Sequence, residues 1–150
     1  GVLGRGGVPR DRIDLVGETE QAKLLLAYGQ VDLALDPFPY SGGVTTLEAM
    51  WMGVPTVTYV GDTFAGRHSA THLTAAGLEE FCTHSIDDYV AAAVAWSQKR
   101  EELAVLREGL RERVAASPLC DAPRFAQNLS HELMRLWAGW CEGRRKRMAE

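Results

Sequence analysis

The fold is decided by residues 31–55, which read VDLALDPFPYSGGVTTLEAMWMGVP. The segment begins with an alternating apolar run at residues 31–35, typical of a β-strand. A loop rich in proline and glycine follows at residues 36–43, and residues 45–52 then favour a helix that Gly53 and Pro55 end. A strand, a glycine loop and a helix in this order form the repeating unit of open parallel α/β sheets.

The same alternation continues on both sides of this segment. Further strands are predicted at residues 12–16 (RIDLV), 56–60 (TVTYV) and 80–83, and further helices at residues 18–28, 66–76, 86–98, 99–116 and 122–140. Ser85 is placed to cap the helix that begins at Ile86. The sequence therefore predicts an α/β class with a Rossmann-like parallel sheet and flanking helices, because strands and helices alternate first and helices fill the second half.

The predicted organisation is one domain at residues 12–142 with a short segment at each end. Residues 1–11 are interpreted as a linker or a truncated start, and residues 143–150, which are rich in arginine, as a basic tail. A doubly wound domain usually begins with a strong strand and helix, whereas this chain begins on glycines. We therefore expect a piece of a longer polypeptide that lacks the first strand–helix unit.

Composition narrows the class of protein. The chain has 150 residues, of which 46% are hydrophobic and 24% charged, as in ordinary globular domains and unlike disordered or collagen-like chains. Its net charge of −4 argues against nucleic acid as a partner. No uncharged stretch reaches the length of a membrane span, and no apolar signal segment is seen near the start. We expect a cytoplasmic protein with no membrane partner.

Metal-binding patterns are weak in this sequence. The three cysteines have long, irregular spacing and are interpreted as free thiols. His68 and His72 have the i, i+4 spacing with which two histidines on a helix can bind a metal. No third ligand is obvious nearby, so a surface or half-buried helix face is the favoured interpretation and no metal site is assigned.

The residues that can carry chemistry lie where the glycine loop meets the following helix. Ligands of open α/β sheets bind beyond the carboxyl ends of the strands. Gly42 and Gly43 allow close approach to the backbone, and the helix start with Thr45 and Thr46 offers N–H and hydroxyl donors to a diphosphate. Glu48, one turn later, could hold the hydroxyls of a ribose. The same residues also fit a tight turn with a helix cap and an ordinary first-turn acid, and spacing alone leaves both interpretations open.

A longer stretch, residues 31–70, reads VDLALDPFPYSGGVTTLEAMWMGVPTVTYVGDTFAGRHSA and resembles a known family. It is similar to the C-terminal catalytic half of the O-linked N-acetylglucosamine transferases, in the SPINDLY-like branch. The resemblance extends over residues 12–140. It implies the C-terminal domain of a GT-B glycosyltransferase, which binds a UDP-GlcNAc-type donor without a metal or other cofactor. It also implies transfer to Ser or Thr hydroxyls of proteins, which a separate N-terminal domain and tetratricopeptide repeats would recruit.

Residue by residue, the resemblance gives the donor roles. Gly42 and Gly43 match the glycine loop, and Thr45 and Thr46 match the residues at the phosphate-facing helix start. Glu48 matches the acidic residue that holds the ribose. Arg67 matches an arginine of the family pattern to which we assign no role beyond shaping the cleft. Catalytic residues remain unknown, because no residue of the chain has the pattern of a catalytic base.

Two departures from the family pattern leave an alternative function open. Leu24 stands where many members have a histidine near the uridine end of the donor, and Val44 stands where threonine is usual. The alternative is a non-catalytic binding or scaffold domain with the same fold and weakened donor binding. In either case we expect the chain alone to be inactive in transfer. Trp137 and Trp140 on the last helix would mark an uncovered surface, which a homodimer would hide.

Overall fold

Three parallel strands form the sheet on which the site is built. The computed structural model describes residues 6–149, with side chains described as far as residue 145. The strands are β1 (Ala34–Leu35), β2 (Thr56–Tyr59) and β3 (Cys82–Thr83), in the spatial order β1-β2-β3. Ala34 pairs with Thr56, and Thr58 pairs with Cys82. All three carboxyl ends therefore meet at one edge of the sheet.

Helices connect and follow the strands. They are α1 (Gln21–Ala27), α2 (Val44–Trp51), α3 (His68–Ala75), α4 (Ile86–Gln98), α5 (Arg100–Ala115) and α6 (Ala122–Ala149). Short 3-10 helices lie at Arg10–Arg12, Tyr28–Gln30, Phe64–Gly66, Glu79–Phe81 and Pro118–Cys120. Because α2 follows β1 and α3 follows β2, each parallel strand pair is joined by a helical crossover. The predicted α/β, Rossmann-like class is confirmed.

The core lies between the sheet and helices α2, α3 and α5. Its fully buried members are Met50, Val57, Leu73, Leu78, Phe81 and Leu110, each with 0% of its surface exposed. Burying a side chain of this size contributes roughly 1.5–3 kcal/mol. The Phe81 ring also stacks on Trp96 of α4, with centroids 4.5 Å apart. This packing fixes the positions from which α2 and α3 begin.

Helix ends follow the residues that the sequence supplies. Gly53 and Gly77 take positive φ angles of 79° and 69° directly after the last turns of α2 and α3. Such angles favour glycine because it has no Cβ. At the start of α4, the Ser85 hydroxyl accepts a hydrogen bond of 3.0 Å from the Asp88 N–H, as predicted.

The strand predicted at residues 12–16 was wrong. Arg10–Arg12 forms a 3-10 helix, and no strand follows it before β1 in the described chain. Leu15 and Val16 are 78% and 83% exposed. Alternation of apolar residues gives a strand only where a neighbouring strand accepts the backbone hydrogen bonds. Within residues 6–149 the free edge of β1 has no such partner.

Other elements differ in length from their predictions. The strand predicted at residues 31–35 is reduced to Ala34–Leu35, and the helix predicted at residues 18–28 to Gln21–Ala27. The last helix, predicted to end at residue 140, continues to Ala149 and includes most of the segment interpreted as a basic tail. Residues 1–5 of the segment interpreted as a linker or truncated start lie outside the described residues. The same holds for residue 150 of the predicted basic tail.

Most of the described side chains of helix α6 are exposed to solvent. Its Trp137 and Trp140 rings stack with centroids 5.1 Å apart and are 59% and 48% exposed, as expected from the sequence. The Arg144 guanidinium lies 5.2 Å from the Trp140 ring centroid. Within residues 6–149, no helix combines the length and the apolar character needed to cross a membrane.

Candidate functional site

Asp36 organises the glycine loop at the end of β1. The residue is 3% exposed. Its Oδ1 accepts a 2.7 Å hydrogen bond from the Gly42 N–H, and its Oδ2 accepts from the hydroxyls of Ser41 (2.9 Å) and Thr58 (2.6 Å). Three donors on one buried carboxylate satisfy its charge and fix the loop to β2. Both carboxylate oxygens of Asp36 are therefore used inside the protein, which makes it a structural residue of the loop.

A second set of hydrogen bonds joins the starts of α2 and α3. The Ser41 hydroxyl accepts from the Ser69 N–H at 2.9 Å, and the Ser69 hydroxyl donates to the Gly42 carbonyl at 2.9 Å. The Ser69 and Thr46 hydroxyl oxygens lie 2.7 Å apart. Because the Ser69 proton goes to Gly42, the Thr46 hydroxyl is the donor in that pair. We name Asp36, Ser41, Thr46 and Ser69 the loop network.

The network separates the two predicted threonines. Thr46 is 4% exposed and its hydroxyl is used inside the protein, whereas Thr45 is exposed. Only the Thr45 hydroxyl is therefore free to meet a ligand at the helix start.

The two predicted glycines also differ. A Cβ on Gly42 would lie 2.5 Å from the Thr46 Oγ1 and 3.1 Å from the Asp36 Oδ1. Glycine is thus required there by the protein's own packing. A Cβ on Gly43 would lie 3.8 Å from the His68 Nδ1, which is an ordinary van der Waals contact. The loop therefore leaves its open side at Gly43.

Helix α2 begins at this open side without a cap. No side chain caps it, and its first backbone bond runs from the Leu47 N–H to the Gly43 carbonyl at 3.3 Å. Val44 and Thr45, the first two helical residues, are exposed. Uncapped N–H groups and the positive end of the helix dipole make this position suitable for an anion.

Glu48 is oriented by helix α1. The Gln21 Nε2 donates to the Glu48 Oε1 at 2.9 Å, across 27 residues of sequence. Close by, the Tyr28 hydroxyl donates to the Thr45 carbonyl at 3.2 Å. Burial raises the pKa of Tyr28, and the negative charge of Glu48 raises it further. The carboxylate is thus held in place while remaining half-buried at the edge of the site.

Two cavities lie at opposite ends of β1. A cleft of about 150 Å³ opens beside Tyr28, Pro37 and Thr45, at the carboxyl end. A larger one of about 430 Å³ lies at the other end, beside Asp32 and Arg107. There the Arg107 guanidinium donates hydrogen bonds to the Asp32 carboxylate and to the Gly53 carbonyl. These N–H groups therefore stabilise the fold. The first cleft, not the larger one, adjoins the predicted donor residues.

The remaining residues singled out by the sequence surround the site. Leu24 lies on α1 with 36% of its surface exposed and offers no polar atom, and Val44 is 69% exposed. Arg67 is the exposed residue directly before α3. Sequence reasoning missed Gln21 and Ser69 as partners of the site, because their contacts join segments that are 27 residues or more apart.

The comparisons with known proteins decide the family. A sequence model described as glycosyl transferase family 41 matches residues 7–129. The chain belongs to glycosyl transferase family 41. The resemblance found in residues 31–70 is thereby confirmed, since SPINDLY proteins are among its relatives.

Relatives of this family 41 chain are much longer than the chain itself. It is 36% identical over 148 residues to the probable UDP-N-acetylglucosamine–peptide N-acetylglucosaminyltransferase SPINDLY of Petunia hybrida, covering 95% of this chain and 15% of the relative. Identity to the Arabidopsis thaliana protein of the same name is 38% over 117 residues, or 78% and 13% of the two chains.

A solved structure agrees with this placement of the family 41 chain. A mutant O-GlcNAc transferase from Thermobaculum terrenum matches with a TM-score of 0.82 and 37% identity, over 90% of this chain and 26% of that one. The Rossmann-like class predicted from the sequence is therefore supported by a structural match as well as by the strand order. The chain spans only a minor part of each of these relatives.

Proposed function

We propose that this chain is the nucleotide-sugar-binding part of a protein O-glycosyltransferase. The donor would be UDP-GlcNAc or a related UDP-sugar, and the acceptor a Ser or Thr hydroxyl of a protein. The observation that carries the proposal is the uncapped start of α2 at Gly43, one helical turn before a carboxylate that Gln21 holds in place. The names of the SPINDLY relatives, which specify UDP-N-acetylglucosamine and a peptide, support the choice of donor and acceptor.

Helix geometry allows one ligand to reach both groups. Glu48 follows Val44 by four residues, which is about 6 Å along the helix axis and nearly the same face. A diphosphate at the N–H groups of Val44 and Thr45 therefore leaves an attached ribose close to the Glu48 carboxylate. The ribose hydroxyls would donate to that carboxylate, and the Gln21 amide already satisfies one of its oxygens.

The diphosphate is also the leaving group of the transfer. When the acceptor hydroxyl oxygen bonds to the sugar C1, the C1–O bond to the diphosphate breaks and its electron pair stays on the phosphate oxygen. The hydroxyl proton passes to the departing diphosphate or to solvent. Helix N–H groups aimed at that oxygen stabilise the charge that develops there. Because these donors are backbone groups, we expect donor binding to need no metal.

Transfer itself would need the rest of the polypeptide. An acceptor must be held against the donor for reaction, and the resemblance assigns that task to a second domain and to tetratricopeptide repeats. We therefore expect the 150-residue chain to bind a nucleotide and not to glycosylate a protein.

Calorimetric titration of the chain with UDP tests the proposal. We expect binding in the micromolar to low-millimolar range, unchanged by a metal chelator. Glu48→Ala should weaken it about tenfold or more, the effect expected for removing a charged hydrogen-bond acceptor. Glu132→Ala is the matched control, because Glu132 is an exposed acid on α6 that pairs with Arg135.

Absence of binding by the folded chain at millimolar UDP would contradict the proposal. That result would instead favour the non-catalytic scaffold, for which the apolar Leu24 on α1 is the supporting observation.

A further inference from the structure

His68 lies beside the open side of the glycine loop. Its Nδ1 lies 3.8 Å from the position that a Gly43 Cβ would take. Gly43 directly precedes α2, and His68 is the first residue of α3. The imidazole therefore lies next to the backbone donors proposed for the diphosphate, on a different helix from them.

Two aromatic rings contact the imidazole. Phe64 contacts it edge to face with centroids 4.7 Å apart, and Tyr40 does so at 6.2 Å. Both rings are themselves well exposed, at 84% for Phe64 and 69% for Tyr40. His68 itself is half-buried, and the group of three rings is not part of the hydrophobic core.

The ring nitrogens of His68 are not used by the loop network. Its hydrogen bonds run among Asp36, Ser41, Thr46 and Ser69, and none of those described reaches the imidazole. Packing against Phe64 and Tyr40 uses the ring and needs neither nitrogen. A phenylalanine would pack equally well, so packing alone gives no role to the two nitrogens.

We propose that His68 is a diphosphate-binding residue, which donates from its imidazole to a phosphate oxygen of the nucleotide sugar. The inference rests on the proposed function and adds a side-chain donor from α3 to the backbone donors of α2. An imidazole N–H is a good partner for an anionic oxygen, and a bond to a charged group is stronger than a neutral one. The contribution of His68 is directed at the diphosphate, whereas that of Glu48 is directed at the ribose.

This division of roles predicts for which ligand each variant loses affinity. His68→Phe keeps the edge-to-face packing and removes both nitrogens. It should weaken UDP binding about tenfold and leave the affinity for uridine unchanged, because uridine has no phosphate. Glu48→Ala should weaken the binding of both UDP and uridine, because both carry the ribose. His68→Asn places an amide N–H near the level of the Nδ1 and should recover part of the lost UDP affinity.

The experiment is a nuclear magnetic resonance titration of UDP and of uridine into the wild-type chain and these three variants. Circular dichroism confirms that each variant is folded. Loss of UDP affinity in His68→Phe with unchanged uridine affinity supports the inference, and partial recovery in His68→Asn supports it further.

Two outcomes would overturn the inference while the proposed function stands. One is wild-type UDP affinity in His68→Phe, and the other is an equal loss of UDP and uridine, which indicates a disturbed loop. If His68→Phe does not fold, the same comparison made with His68→Asn against His68→Ala decides the question. Failure of the wild-type chain to bind UDP would instead overturn the proposed function, and this inference with it.

Discussion

Replacing Asp36 by asparagine should destabilise the chain far more than the same change at Asp32, although the two aspartates flank the same strand. Asp36 is 3% exposed and accepts hydrogen bonds from Ser41, Gly42 and Thr58. The Asp32 side chain is 79% exposed and pairs with Arg107. Both substitutions remove one negative charge and keep the shape of the side chain.

The size of the effect follows from the three donors. An asparagine at position 36 keeps one acceptor oxygen for the Gly42 N–H and turns an amide N–H₂ toward the hydroxyls of Ser41 and Thr58. Hydrogen bonds to a charged group contribute about 1.5–3 kcal/mol each, and neutral replacements about 1 kcal/mol. Weakening the two hydroxyl bonds therefore lowers the free energy of unfolding by about 1–4 kcal/mol. Asp32→Asn removes an exposed ion pair and should lower it by about 0–1 kcal/mol.

Urea unfolding followed by tryptophan fluorescence measures both values. For a urea dependence of about 2 kcal/mol per molar, Asp36→Asn should lower the unfolding midpoint by roughly 0.5–2 M. Thr58→Val, which removes a single donor, should show an intermediate loss. If Asp36→Asn and Asp32→Asn shifted the midpoint equally, the carboxylate would not hold the loop in the way described, and the reasoning would fail.

Two further predictions concern the residue after a helix and a half-buried phenol. Gly53→Ala should destabilise the chain by about 1–3 kcal/mol in thermal unfolding, because alanine would take a left-handed φ and place its Cβ 3.0 Å from the Arg107 carbonyl oxygen. The control is Gly109→Ala within α5, where the new Cβ meets no atom within 4 Å. It should raise the free energy of unfolding by about 0.5–1 kcal/mol. Burial, and then the charge of Asp36, raises the pKa of Tyr89, so the stability from its neutral form is complete below the unfolded pKa of about 10 and is lost as pH rises through the folded value. Urea unfolding from about pH 9 to 11 should therefore show a smaller loss of stability for Tyr89→Phe than for the wild type, and equal losses would contradict this.

Local patterns predicted the part of the fold that depends on local chemistry. The positions of α2, β2 and α4 followed from a glycine after a helix, a β-branched run and a serine before a helix. The strand predicted at residues 12–16 failed because its pattern needs a partner strand that residues 6–149 do not supply. The predicted strand lengths were wrong for the same reason, because hydrogen bonding to a neighbouring strand decides where a strand ends.

Sequence reasoning found the candidate site but not its internal division of labour. The candidate residues from Gly42 to Glu48 lie in one contiguous stretch of sequence, so a single local pattern identifies them together. Nothing in that stretch shows that the Thr46 hydroxyl is used by Ser69, or that Gly42 is small because Thr46 lies against it. Those facts depend on the packing of α3 beside α2, as does the position of His68 near Gly43.

The loop network has a consequence for the dynamics of the site. Because Asp36 and Ser69 hold the loop through bonds to backbone and side chains, its conformational entropy is lost when the protein folds and not when a ligand arrives. A nucleotide bound as proposed would then meet a loop that is already ordered, and its association would cost little conformational entropy of the chain. The residues that remain free to reorganise are the exposed rings of Tyr40 and Phe64, so motion on binding should be concentrated in aromatic side chains rather than in the backbone.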